Sequence, residues 1–413
     1  MFAEDVPLAR IAAEVGTPVY VYSAATLRRH ARVMREALAP LGDPLIAFAV
    51  KANSNLAVLR LLGQQGLGAD VVSAGEMQRA LAAGIPPGRI VFSGVGKTDA
   101  EMRAALEAGI LQLNVESESE LARLSAVAGA MGRTAEIAFR VNPDVDAHTH
   151  AKISTGKAEN KFGIPLGKIE ALYARAVALP GIRPVGVAAH IGSQLADLAP
   201  LAQAFEKLGQ LVARLRAAGH EVRRVDLGGG LGIPYDPALP APPTPADYGA
   251  MVRSAVAAWP DGEGLRLIFE PGRLIAGNAG ILLARVVVRK SGGVKEFVVL
   301  DAAMNDLLRP TLYGAYHDIR AVRPRAGTMT ATVVGPVCET GDTFATDRAV
   351  PPLDEGDLVA LMSAGAYGAV MAGTYNSRPL VAEVLVDGGR YAVVRRRQTL
   401  DEQLALDRVP AWL

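Results

Sequence analysis

Eight times between residues 45 and 270, a short apolar run passes through a polar or glycine-bearing end into a stretch of helical composition. The runs are Leu45–Val50, Ala69–Val72, Ile90–Phe92, Leu111–Val115, Ile137–Val141, Val185–Ala189, Val222–Leu227 and Leu265–Phe269. Near-continuous apolar runs suit parallel strands covered on both faces. Glu76–Ala83, Ala100–Ala108, Glu118–Ala130 and Leu201–Ala218 have the spacing of the covering helices. Eight such units predict an α/β fold, a (β/α)8 barrel rather than an open doubly wound sheet. Barrels gather their chemistry at the C-terminal strand ends. The residues falling there are Lys51, Asp70, Ser93, Asn114, Asn142, His190, the glycines 228–230 and Glu270, and most are polar.

After about residue 278 the texture changes. Ile281–Val288, Phe297–Leu300, Thr330–Val334, Leu358–Met362 and Ala382–Val386 are β-rich and lack regular helices between them. Asp387-Gly388-Gly389 followed by Arg390–Val394 reads as a hairpin. The chain is therefore divided into a barrel over 25–277 and a mostly β domain made of 1–24 with 278–413. The strand-like Pro18–Tyr22 is expected to join the β domain. Between Val141 and Pro165 a long polar stretch (His148, Thr149, His150, Lys152, Ser154, Gly156, Lys157, Asn160) is a candidate lid.

Several functions are disfavoured. With 43 basic and 42 acidic residues and no basic block, nucleic acid is not an expected partner. The most apolar late stretch, Ala279–Val288, is too short for a bilayer and contains Arg285, so no membrane partner is expected. The N-terminus lacks a secretory pattern, and the single cysteine, Cys338, permits no internal disulfide. Both fit a cytoplasmic protein.

Lys51 closes an apolar run, and an amine in an apolar mouth sheds its proton more easily, as an aldehyde-reactive lysine requires. Taken alone, the same pattern is more often a solvated strand end, and the rest of the chain has to overturn that reading. Gly228-Gly229-Gly230-Leu231-Gly232 follows the seventh strand, where barrels often bind phosphate, although a glycine cluster alone is as readily a tight turn. Gly272 adds a backbone N–H, and Arg273 a fork able to grip a carboxylate. An aldehyde-reactive lysine and a phosphate cradle on one rim suggest pyridoxal 5'-phosphate. Glu270 would then keep the ring nitrogen protonated and His190 would place its imidazole against the ring.

The chain resembles the barrel-type pyridoxal-phosphate decarboxylases of amino acids. The matching stretches are Phe48–Asn53, His190–Gln194, Gly228–Tyr235, Glu270–Arg273, Asn305–Tyr313, Cys338–Asp342 and Ala366–Met371, together with His150–Gly156 and Lys161–Gly163. They extend over about residues 17 to 380, with Thr340 standing where the family commonly has serine. The resemblance implies that Lys51 carries the cofactor and that His190 stacks on it. It also implies that Glu270 meets the pyridine nitrogen and that Ser193, Gly228, Gly229, Gly230, Gly272 and Arg273 hold phosphate or substrate. Arg309, Tyr313 and Glu339 become substrate contacts, Tyr367 a cofactor or substrate contact, and Cys338 the general acid. It further implies a homodimer in which Cys338 and Glu339 reach the other subunit's active site.

The far end of the substrate can be argued from charge. Ornithine, lysine and arginine present only a cation there, whereas diaminopimelate presents an ammonium and a carboxylate. Glu339 with Arg273 and Arg309 would pair both, and an unpaired buried arginine would penalise a simple diamine precursor. A preference for meso-diaminopimelate is expected. A decarboxylase of ornithine, arginine or lysine is the nearer alternative. An amino-acid racemase is the more distant one, and would more naturally set arginine than Glu270 against the ring nitrogen.

Overall fold

The computed structural model describes residues 1–147, 155–156 and 159–413. They form two compact units, one of residues 28–233 with 240–275 and the other of residues 1–27, 234–239 and 276–413. Of the expected lid, His148, Thr149, His150, Lys152, Ser154 and Lys157 lie outside the described residues.

The first unit is the barrel. Its strands are β1 (Leu45–Ala49), β2 (Gly68–Val71), β3 (Ile90–Phe92), β4 (Gln112–Val115), β5 (Ala135–Asn142), β6 (Ile182–Ala188), β7 (Arg224–Asp226) and β8 (Arg266–Phe269). Every neighbouring pair is parallel, and β8 returns to β1 through Ile268–Leu45 and Phe269–Ile46, closing the sheet. Closure removes the free edges that an open sheet must protect. Leu45, Ala47, Val91 and Ile268 fill the interior together, each wholly buried. Four loops enter their helices through the same local chemistry. Ser73, Thr98, Ser117 and Thr244 each accept from the backbone N–H three residues on, and Thr98 and Thr244 complete reciprocal capping boxes with Glu101 and Asp247. Such caps satisfy helix N–H groups that otherwise have no partner, which lets the chain turn from strand to helix sharply.

The first strand ends one residue before the sequence reading places it. Val50–Ala52 form a single 3-10 turn, which lifts Lys51 just past the strand end.

The second unit is built on a mixed sheet. Its strand order is Thr343–Val350, Met329–Val334, Glu296–Leu300, Gly280–Ser291, Val19–Ser23, Ala382–Asp387, Arg390–Arg395, with Leu358–Leu361 also pairing Gly280–Ser291. The N-terminal strand joins this sheet as expected, antiparallel to Gly280–Leu283 and parallel to Ala382–Val386. Asp387 faces Arg390 across the Gly388-Gly389 turn, where Gly388 takes φ +61°. Helix Leu8–Val15 packs Leu8 and Ile11 into the core with Val19, Val21, Leu283 and Val384. The sequence reading missed this helix and the strand Thr343–Val350. In that strand, register shifts against Met329–Val334 break the alternation that marks a half-buried strand.

Candidate active site

At the C-terminal rim of the barrel, Lys51, Ser93, Asn114, Arg140, His190, Asp226 and Glu270 line one cavity of about 310 Å³. The loop following β1 presents Lys51, whose ammonium lies 2.5 Å from Asp70 Oδ2 at the end of β2. The lysine side chain is 34% exposed and the Asp70 carboxyl fully buried. The amine is thus held by a carboxylate rather than stripped of partners in an apolar mouth. This is the ion-pair arrangement the sequence argument from desolvation did not foresee.

Asp226 and Glu270 end β7 and begin the loop after β8, and both are buried. Asp226 Oδ1 accepts from Gly228 N at 2.9 Å, and its Oδ2 accepts from Asn114 Nδ2 at 3.2 Å. Ser93 Oγ takes a hydrogen bond from Asn114 Nδ2 at 3.1 Å and donates to Glu270 Oε1 at 3.3 Å. Burial pushes the Asp226 carboxyl up to about 6, with Asp70 adding to the rise against hydrogen bonds from Glu270 and Gly228. Glu270 is held well above the usual carboxylate range, first by burial and then by Asp226 and Asp70. Interaction between the two carboxyls favours the proton on Glu270 and opposes it on Asp226. Among the described residues, no lysine or arginine forms an ion pair with either.

His190 follows β6. Its Nδ1 accepts from Gly229 N at 3.1 Å, so the ring proton belongs on Nε2. Burial, then Arg140 and Lys51, hold its basicity well below normal, and the ring is neutral. Arg140, on β5, donates to Glu116 Oε1 at 2.9 Å and lies 4.8 Å from the Phe162 ring centroid.

The glycine run closes against its neighbours. A Cβ on Gly228 would stand 2.5 Å from the Ala189 carbonyl oxygen, on Gly229 2.2 Å from that of Glu270, and on Gly230 2.4 Å from that of Gly192. Only glycine fits there. Gly230 also accepts from Leu195 N at 2.9 Å, and Gln194 Nε2 donates to the Ile233 carbonyl at 2.7 Å. Arg273 Nη2 donates to Ser193 Oγ at 3.0 Å, and the arginine is buried beside Gly272. Asn142 does not line the cavity: its side chain accepts from Asp144 N and donates to the Phe162 carbonyl.

The remaining expected site residues belong to the second unit. Arg309 opens a short helix ending at Tyr313 and is buried, whereas Cys338 and Glu339 are exposed. Their loop is shaped from below by Asp342, which accepts from Val337 N and Met304 N, and from the side by Asn376, which accepts from Cys338 N at 2.9 Å. Tyr367 is half-buried with φ +55°, in the left-handed region.

Two rim residues escaped the sequence reading, Asp226 and Arg140. Arg140 is the one charge in the apolar run Ile137–Val141, and that was the available signal, whereas Asp226 follows Arg223 and Arg224 in its own run and does not stand out.

The rim accommodates a pyridoxal group. The Lys51 amine and a buried carboxyl pair border one cavity, and a ring N–H would supply the hydrogen-bonding cation that Asp226 and Glu270 lack. Residues 24–277 match the family described as "Pyridoxal-dependent decarboxylase, pyridoxal binding domain". The chain belongs to this family of pyridoxal-dependent decarboxylases. It is 52% identical to the diaminopimelate decarboxylase of Zymomonas mobilis over 99% of this chain and 97% of that one. It is likewise 52% identical to that of Pseudomonas aeruginosa over 98% and 96%. The crystal structure of diaminopimelate decarboxylase from Helicobacter pylori complexed with L-lysine superposes with a TM-score of 0.92. That protein is 41% identical, with 97% of this chain and 98% of that chain covered.

Proposed function

We propose that this chain decarboxylates meso-2,6-diaminopimelate to L-lysine and carbon dioxide with pyridoxal 5'-phosphate as cofactor, the final step of lysine biosynthesis. The observation that carries this reading is the 52% identity, over 99% of the chain, to a protein of that activity. The charge arrangement of the barrel rim supports it.

Lys51 anchors the cofactor through its amine. Glu270 would serve the ring nitrogen and neutral His190 the ring, and Ser193, Gly228, Gly229, Gly230, Gly272 and Arg273 would hold the phosphate, with Arg273 also available to substrate. When bound, pyridoxal phosphate supplies an electron sink for the pair left on carbon as carbon dioxide departs. The carbon–carboxylate bond breaks, and the Cys338 thiol returns a proton so that a carbon–hydrogen bond replaces it. Solvent then reprotonates the thiolate.

Stereochemistry fixes which end reacts. The meso substrate has one D and one L centre, and the product is L-lysine, so the D centre loses its carboxylate. The L end keeps its ammonium and carboxylate throughout. Glu339 suits the ammonium, Arg309 the carboxylate, and Tyr313 and Tyr367 complete the contacts. The active unit is a homodimer with shared sites, to which each subunit contributes its Cys338 and Glu339, and it works in the cytoplasm.

The test is a substrate panel on purified protein loaded with pyridoxal phosphate. Carbon dioxide and lysine should form from meso-diaminopimelate, and a borohydride-reducible visible chromophore should be present and be lost in Lys51→Ala. Comparable turnover of lysine or ornithine would refute the substrate, and conversion without carbon dioxide release would indicate a racemase.

A further inference from the structure

His317 stands four residues beyond the short helix Arg309–Tyr313, buried to 1% exposure. Both of its ring nitrogens are engaged. Nε2 lies 2.8 Å from Arg309 Nη1, and Nδ1 lies 2.8 Å from the Met362 carbonyl oxygen. A guanidinium donates and never accepts, so Nε2 is the acceptor. The ring proton therefore sits on Nδ1 and is donated to Met362, which fixes one neutral tautomer. Tyr235 packs on the same pair: the Arg309 guanidinium carbon is 4.5 Å from its ring centroid, and the His317 ring meets it edge-on at 5.6 Å.

We propose that His317 is a positioning residue that orients the Arg309 guanidinium toward the carboxylate on the substrate's unreacting end. The inference rests on the assignment of Arg309 as a substrate contact made above. An arginine recognises a carboxylate through a planar fork, so the rotation of its plane decides the grip. An aspartate or glutamate at position 317 would orient that plane but would also cancel its charge. A neutral imidazole acceptor and an aromatic face hold the guanidinium without themselves neutralising it. The Met362 carbonyl completes the device by keeping the acceptor nitrogen, not the N–H, turned to Arg309.

The test compares His317→Phe, His317→Gln and Arg309→Lys in the holoenzyme. Phenylalanine preserves the ring volume against Tyr235 and removes the acceptor, whereas glutamine restores an acceptor oxygen. L-lysine retains the unreacting end of diaminopimelate, so it reports on the same grip as a product inhibitor. In His317→Phe, the KM for meso-diaminopimelate and the Ki for L-lysine should rise together by about ten-fold or more. Its kcat should stay within about three-fold of the parent, with cofactor absorbance and borohydride trapping unchanged, and His317→Gln should recover most of both constants. A general loss of packing would instead lower kcat and cofactor retention without this paired change. Unchanged KM and Ki in His317→Phe would overturn the proposal. Should that variant fail to retain cofactor, a KM in His317→Gln more than about ten-fold above the parent would overturn it as well. Arg309→Lys separates the two claims. If it leaves KM unchanged, the substrate role of Arg309 fails; if it raises KM while His317→Phe does not, only the positioning role fails.

Discussion

Replacing Asp226 by asparagine should make the cofactor-free protein more stable at alkaline pH and less stable at acid pH. The Asp226 carboxyl is pushed by burial from an ordinary 3.8 to about 6 in the fold. A carboxyl raised on folding contributes stability that is fully present below its unfolded value and is lost as pH rises through its folded value. Here that window runs from about pH 4 to somewhat above pH 6. The shift of about two units corresponds to roughly 3 kcal/mol lost by the parent across it. Asparagine keeps an oxygen for Gly228 N but sets an N–H against Asn114 Nδ2, costing about 1 kcal/mol of hydrogen bonding at every pH. The variant should therefore lie about 1 kcal/mol below the parent at pH 4 and about 2 kcal/mol above it at pH 8. For a domain of the barrel's size each kcal/mol moves the melting temperature by roughly 2–4 °C, so the sign change is measurable by thermal unfolding. The protein must be stripped of pyridoxal phosphate, so that nothing stands against Glu270. A variant equally destabilised at both pH values would refute the claim that burial of this carboxyl is what raises it.

Two further substitutions address chemistry and packing. Cys338→Ala should lower kcat by about 10²–10⁴-fold with cofactor absorbance intact, and full activity would remove the thiol from the reaction. Gly209→Ala would set a Cβ 2.2 Å from Trp259 Cδ1 inside the barrel unit, and overpacking of this kind costs about 1–3 kcal/mol. Its denaturant midpoint should fall, and an unchanged midpoint would show that the Trp259 ring can move aside.

The barrel was legible because each apolar run had to be covered by the helix that followed it, a requirement written in consecutive residues. The strand-end positions of Lys51, His190, Glu270 and the glycine run came with that pattern. The partnerships across the lumen did not. Asn114 reaches Asp226 across 112 residues and Ser93 reaches Glu270 across 177, and which strand ends face one another depends on how the closed sheet is staggered. Asp226 was hidden for a related reason. It lies in the stretch Val222–Leu227 beside Arg223 and Arg224, where a carboxylate reads as an ion-pair partner, and only closure shows that it faces the carboxyl of Glu270 and not a cation. In the second unit, His317 gave no signal at all, since its partners Arg309, Met362 and Tyr235 converge only in the folded sheet.

The polarity of the barrel rim constrains how a ligand can lie on it. Lys51 is balanced by Asp70 and Arg140 by Glu116, and both pairs form at the edge of the cavity. Asp226 and Glu270 have no such cationic partner among the described residues, an expensive arrangement for two buried carboxyls and of the kind that functional sites retain. Around the glycine run, by contrast, the buried Arg273 guanidinium and Ser193 give the rim a cationic, hydrogen-bond-donating character. A ligand with an anionic group at one end and a protonated ring nitrogen at the other relieves both regions in only one orientation. Such a ligand would set its anion beside Ser193 and Arg273 and its ring nitrogen beside Glu270. Reversed, it would set a phosphate against two carboxyls and a cation against a guanidinium, unfavourable at both ends. The distribution of charge on the rim, apart from any likeness to other proteins, thus favours an anionic group beside Ser193 and Arg273 over one beside Glu270.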